Sequence, residues 1–274
     1  MDTRQVSDNR LQGPGIYLFI LLVCLSCMPE DNLPIRDVGN TPEYFIECYC
    51  KPGKMFSLSA TSVLPLSNDL AIDFSKKMKI TIQAEHPVEL QHTIYTLPGS
   101  EFVYNYGSTE RLLSSNPDSL HLNIVTADQK HISASTVIPP AVSIYSYKFE
   151  NNKASIQFYT SNKADENYFI YSVEAIGNDS IHEKSVCYLD YSGYTYGHMI
   201  EKSLMLSDYR QADKIVFSLK RITRANYDYQ ISLNAANSAN QSSITTPVPL
   251  KGNLKGAIGI FTCYTEDRTE IKDF

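Results

Sequence analysis

The sequence predicts a mostly β protein: an N-terminal antiparallel β-sandwich followed by a second β-rich domain with one short helix. Two observations carry this expectation. Period-two alternation of apolar and polar residues dominates from Tyr44 onward, and tyrosine outnumbers phenylalanine 19 to 11 while tryptophan is absent. Alternation puts successive side chains on opposite faces of a strand, and tyrosine suits a strand with one buried and one wet face. A chain of 274 residues, 43% of them hydrophobic, has material for one large or two modest cores.

The elements follow in order. Ile46, Cys48 and Cys50 share one face of a first strand, with Phe45, Glu47 and Tyr49 on the other, until Pro52-Gly53 turns the chain. Phe56, Leu58 and Ala60 repeat the pattern. Met78, Ile80, Ile82 and Ala84 do the same, as do Val88, Leu90, His92 and Ile94. Leu120, Leu122 and Ile124 are expected to pair with Ile132, Ala134 and Thr136 across the polar turn Asp128-Gln129-Lys130. Short strands at this spacing argue for a sandwich over residues 43–139. Pro139-Pro140 marks the expected boundary, and a second β-rich domain is expected over 140–274. Its strands are predicted at Ile156 and Phe158, at Phe169, Tyr171 and Val173, and at Ile215, Phe217 and Leu219. One helix is expected over 224–237, with Thr223 as N-cap and Tyr227 and Ile231 one turn apart. Glu266-Asp267 is read as part of a polar tail.

The N-terminus has a different character. The apolar run Ile16 to Val23 follows Arg4 and Arg10 and closes on Cys24-Leu25-Ser26-Cys27. It falls short of the roughly 20 apolar residues that a membrane-spanning helix needs, and its order is that of a secretory signal peptide. Leu25-Ser26-Cys27 resembles the lipobox of bacterial lipoproteins. The resemblance implies that residues 1–26 are removed and that Cys27 is acylated, tying the chain to the membrane at about 0.8 kcal/mol per buried methylene. An unmodified Cys27 in an ordinary secreted protein, or a start nearer Gly13, is the bland alternative. Residues 27–42 read as an acidic, proline-containing tether, with Glu30-Asp31 resembling the export signal of surface lipoproteins in Bacteroidota.

Composition narrows the chemistry. A net charge of −6, with no basic block, argues against a nucleic-acid partner, which needs clustered Lys and Arg. Cys48, Cys50, Cys187 and Cys263 allow two disulfides, a weak Cys-x-Cys metal half-site, or buried thiols acting as small apolar side chains. The histidines show no His-Glu-x-x-His spacing, although His121 and His131 lie on opposing arms of one hairpin. No Gly-x-Ser-x-Gly elbow accompanies the serines, so no catalytic residue, metal or cofactor is assigned and an enzyme is not expected. Gly256 and Gly259 read as a place where two backbones approach, not as a phosphate loop. The stretch from Tyr188 to His198 is richer: Tyr188, Tyr191, Tyr194 and Tyr196 are candidate interface residues, each ring offering area and a hydroxyl. A strand with a tyrosine-rich outer face is the alternative.

Several short motifs also occur in a fixed order. They are Ile46-Glu47, Ala134-Ser135-Thr136-Val137-Ile138-Pro139, Leu206-Ser207-Asp208, Tyr227-Asp228-Tyr229 with Ser232-Leu233, and the run from Asn253 to Phe261. Together they resemble a Bacteroidota outer-membrane lipoprotein family labelled domain of unknown function forty-two forty-nine. The chain departs from that pattern at Cys48, at Asp128-Gln129-Lys130 and at Ala257, where the family favours glycine. The resemblance implies a lipid-anchored outer-membrane protein, facing the cell exterior and serving a TonB-dependent receptor or nutrient-uptake complex without catalysis. Stand-alone capture of a glycan or peptide, and a cell-surface or adhesion subunit, are the alternatives.

Overall fold

The computed structural model describes residues 44–62, 78–97, 102–113, 118–178, 180–240, 248–272 and 274. The expected signal peptide, Cys27 and the tether lie outside the described residues. Within them the chain is mostly β, with one α-helix. The strands of the first half are β1 (Tyr44–Cys50), β2 (Met55–Ser62), β3 (Lys79–Gln83), β4 (Pro87–Thr96), β5 (Val103–Arg111), β6 (Ser119–Val125) and β7 (His131–Val137). Those of the second are β8 (Ile144–Glu150), β9 (Lys153–Tyr159), β10 (Tyr168–Gly177), β11 (Ser180–Asp190), β12 (Met199–Met205) and β13 (Lys214–Ile222). Helix α1 (Arg224–Asn240) and β14 (Ile258–Ile271) complete the chain.

Eleven strands form one mixed sheet in the order β11-β10-β13-β14-β1-β2-β5-β4-β3-β6-β7, and β12-β9-β8 form a second, smaller sheet. The hairpin β6–β7 has the expected register, Leu120 opposite Thr136, Leu122 opposite Ala134 and Ile124 opposite Ile132. Its turn residue Gln129 sits at φ 62°, the left-handed region where glycine is free of strain. β4 follows alternation only partway: the register shifts between His92 and Tyr95, and Ile94 ends up 60% exposed.

Two apolar cores result. One gathers β1 to β7 around Ile46, Phe56, Leu58, Ile80, Tyr106 and Leu122, with Phe261 and Cys263 of β14. The other holds Phe158, Phe169, Tyr171, Phe217 and Leu219. Pro139-Pro140 falls between them in sequence, but the large sheet runs unbroken past this point, because β14 joins both halves. Its first half pairs parallel with β1, Cys48 opposite Phe261, and its second half pairs antiparallel with β13, Leu219 opposite Asp267.

The second half of β14 corrects the polar-tail reading of Glu266-Asp267. This stretch is a strand paired along one edge with β13 and held by charge rather than by apolar alternation. Glu266 takes Lys51 at 2.6 Å and the Ser218 hydroxyl at 2.6 Å; Glu270 takes Lys214 at 3.2 Å and Arg268 reaches Glu174 at 3.3 Å. Burial pushes the Glu266 carboxyl up, yet the bonds from Lys51 and Ser218 outweigh it and hold it below the usual range.

The sheet curls until β7 returns to β14, and the segment before β14 fills the remaining gap without closing a barrel. Ser133 and Lys255 exchange backbone hydrogen bonds of 3.2 and 2.8 Å. The Asn253 amide donates to Ser135 O at 3.0 Å and to Phe261 O at 2.8 Å, and accepts from Phe261 N at 3.0 Å. One side chain thus takes the place of a missing strand. Gly259, at φ 118°, is where β14 meets β1: a Cβ there would stand 1.9 Å from Ile46 O. The close backbone approach expected of Gly259 is therefore present.

Candidate functional site

Helix α1 begins as expected, the Thr223 hydroxyl accepting from Asn226 N at 3.2 Å. Its docking face differs from expectation. Ile231 is exposed, while Asn226, Tyr229 and Ser232 are buried, because the helix lies on a polar patch of the sheet. Glu47 Oε1 accepts from Tyr229 Oη at 2.9 Å and from Tyr49 Oη at 3.1 Å. Gln230 joins Tyr49 at 3.3 Å and accepts from Tyr188 Oη at 3.4 Å. Ser232 then accepts from Lys251 N at 2.9 Å, leading to the Asn253 seam. Ile46-Glu47, Tyr229 with Ser232, and the Asn253–Phe261 run therefore meet in one structural joint.

Burial pushes the Glu47 carboxyl above its ordinary 4.5, and the two tyrosine hydrogen bonds offset this only in part. A carboxyl with a raised folded-state pKa contributes most stability below its unfolded value, and that contribution is lost as pH rises through the raised one. Glu47→Gln, which keeps the accepting oxygen without the charge, is expected to be more stable than the native chain at about pH 8. That advantage should shrink as pH falls toward 4.5. Urea unfolding at both pH values measures it; an advantage that grows on acidification contradicts the assignment.

The four candidate tyrosines do not share one surface. Tyr188 points toward α1. Tyr191 packs at the edge of the second core, its ring 6.2 Å from Phe158 and 6.3 Å from Phe169. Tyr194 and Tyr196 stand out on the loop between β11 and β12, 38% and 72% exposed, with His198 between them, 4.7 Å from the Tyr194 ring and 6.4 Å from Tyr196. Beneath them the backbone is fixed. Thr160 Oγ1 donates to Tyr196 O at 2.9 Å, Thr160 N to His198 O at 3.0 Å, and the Asn167 amide to Tyr194 O at 3.1 Å.

Beside this loop opens a cleft of about 400 Å³. Arg221 of β13 lines it, only 6% exposed, opposite Phe169 across the β10–β13 ladder and 5.2 Å over its ring. Nη1 donates to Ala141 O at 2.9 Å and Nη2 to Tyr159 O at 3.3 Å, while Nε has no partner. Glu166 also faces the cleft but is engaged elsewhere, by Ser161 Oγ at 2.5 Å and Lys163 Nζ at 3.1 Å. Burial raises the Glu166 carboxyl, and these two bonds, with the charges of Lys163 and Arg221, more than reverse that. The wall at 140–144 is pinned by Thr265 Oγ1 on Pro140 O at 2.8 Å and by Asp267 accepting from Ile144 N at 2.8 Å. Tyr145 and Tyr159 form the rim, their rings edge to face at 5.7 Å.

Sequence reasoning passed over Arg221, although a signal was present. Ile215, Phe217, Leu219 and Arg221 fall on one face of a strand, so the last of them is a charge aimed inward. The cysteines are free thiols, Cys48, Cys50 and Cys263 buried, with 3.7 Å between Cys48 Sγ and Cys50 Sγ. They pack as small apolar groups, and burial raises the Cys263 thiol. His121 lies opposite Ser135 and His131 opposite Val125, so the two do not face each other. Among the described residues no group of three His, Cys, Asp or Glu is placed to hold a metal, and no helix is long and apolar enough to cross a membrane.

The fold defines a mostly β protein whose curled sheet is sealed by a C-terminal strand and a polar helix joint. A family model described as Domain of unknown function (DUF4249) matches residues 32–270, and the chain belongs to that family. Comparison with curated proteins finds no match.

Proposed function

We propose that the chain is a lipid-anchored outer-membrane lipoprotein, facing the cell exterior, that serves a TonB-dependent receptor or nutrient-uptake complex without catalysis. Acylated Cys27 attaches it, and residues 28–42 space the body from the membrane. The observation that carries the interaction role is the loop of Tyr194 and Tyr196. Its rings are exposed while its backbone is fixed by Thr160 and Asn167, so a partner meets aromatic side chains already in place. Exposed tyrosine on a rigid frame is the kind of residue that dominates interface energetics.

The test is a pull-down from native membranes. The native chain is expected to co-purify with a β-barrel receptor. Tyr194→Ala with Tyr196→Ala should weaken the interaction about thirtyfold and lower recovery accordingly, since two truncated anchors cost about 1 kcal/mol or more each, with the melting temperature nearly unchanged. Undiminished recovery removes the loop from the interface. Cys27→Ser should release the protein from the membrane fraction. Capture of a soluble ligand by the protein alone is the second reading, favoured by the cleft at Arg221.

A further inference from the structure

We propose that the cleft at Arg221 is a binding site for a ring-bearing monocarboxylate of about the size of one sugar residue. This is independent of the receptor role and of the anchor. Arg221 carries a full charge at 6% exposure, and it forms no ion pair among the described residues. Two carbonyls and the Phe169 ring are its company. Glu166 of the same cleft attracts it without touching it, so the buried guanidinium has no direct ionic partner, a costly arrangement that persists here inside an open, preformed cleft. Nε is buried out of reach and without a partner, but each Nη makes only one bond, and the second N–H groups of the two Nη atoms form a planar fork that matches a carboxylate in geometry.

The surrounding charge selects the anion. Glu166 faces the same cleft and is held ionised by Ser161 and Lys163. Lys163 offsets the Glu166 charge, so Arg221, Lys163 and Glu166 together carry one net positive charge, which suits a single negative charge and disfavours a phosphate dianion. The rim selects the remainder of the ligand. Tyr145 is 67% and Tyr159 48% exposed, a perpendicular pair of aromatic rings beside the apolar Ala141 and Val142. The face of a six-membered ring, whether the C–H face of a pyranose chair or the plane of an arene, lies against such a surface and gains contact that an acyclic acid lacks. A volume near 400 Å³ admits one such ring with its carboxylate toward the arginine.

The experiment titrates the full chain by isothermal calorimetry with D-glucuronate, benzoate, D-glucose and inorganic phosphate. A carboxylate is expected to bind at least about tenfold more tightly than glucose or phosphate, the worth of one charge-assisted pair. Which of glucuronate and benzoate binds better identifies the sugar or the aromatic acid as the source. Arg221→Lys should weaken that binding about tenfold through loss of the bidentate fork. Tyr145→Ala, at an exposed rim position, should weaken it several-fold without lowering the melting temperature. This second variant keeps the test decisive if Arg221→Lys folds poorly. The proposal is overturned if neither carboxylate binds, if glucose matches glucuronate, or if Tyr145→Ala leaves the affinity unchanged.

Discussion

Gly259→Ala is expected to destabilise the protein by about 4 kcal/mol, from backbone strain and overpacking together. At φ 118° the new Cβ would stand 1.9 Å from Ile46 O and 2.8 Å from Ile46 C, so β1 and β14 must part or β14 must rotate. Either movement breaks the parallel ladder that joins the two halves of the sheet. Two control glycines separate the causes. Gly53 has φ 81° with nothing within 4 Å of its Cβ position, so Gly53→Ala should cost about 1 kcal/mol from strain alone. Gly193 has open space and no positive φ to defend, and Gly193→Ala should fall within about 0.5 kcal/mol of the native chain. Urea midpoints of the three variants give the comparison. If Gly259→Ala behaves like Gly53→Ala, the β1–β14 approach is not a fixed constraint of the fold.

The second large effect is expected at Asn105, on β5 and 1% exposed. Its side chain accepts from Ala60 N at 2.8 Å and donates to Ala60 O at 2.7 Å, continuing the β2–β5 ladder after its last backbone pair at Leu58 and Tyr106. Asn105→Ala orphans both groups in the core and should cost about 3 kcal/mol, at 1–3 kcal/mol for each unsatisfied group. Asn105→Asp is nearly isosteric yet should be at least as harmful at neutral pH. The introduced carboxylate keeps the bond to Ala60 N but turns an oxygen toward Ala60 O, in a site that penalises charge. Protonation restores a donor, so the penalty of Asn105→Asp should shrink on acidification while that of Asn105→Ala stays constant. Thermal unfolding between neutral and acidic pH distinguishes them. An Asn105→Asp variant as stable as the native chain at neutral pH would show that the amide donor is dispensable.

These two positions show where sequence reading stops. The strands β1, β2, β3, β6 and β7 were legible because each buries chiefly one face, and burial of one face writes itself as alternation. β9, β10 and β13 were legible from large apolar residues at alternate positions, although β10 and β13 bury most of both faces. β14 beyond Tyr264 was not, since its neighbours Lys51, Lys214, Ser218 and Glu174 hold it by hydrogen bonds and charge, which leave no apolar period. The docking face of α1 was hidden for the same reason: Asn226, Tyr229 and Ser232 meet Glu47, Lys251 and other polar groups, so no apolar stripe marks it. Among the site residues, the tyrosine stretch stood out by composition. Its division was not readable, because Tyr188 and Tyr191 are spent on packing and only Tyr194 and Tyr196 project. Arg221 was readable in principle from its inward parity with Leu219, but its lack of a direct ion pair was not.

The sequence by itself determined the β class, the hairpin register of β6 and β7, the Thr223 cap and the family to which the chain belongs. All of these rest on local periodicity, local hydrogen bonding or short motifs in order. Only the tertiary structure decided that β14 stitches the two halves, that Asn105 and Asn253 stand in for strands, and that Arg221, Glu166 and Tyr145 face one cleft. Those depend on which distant backbones come within hydrogen-bond reach, a matter of three-dimensional approach that no local pattern records.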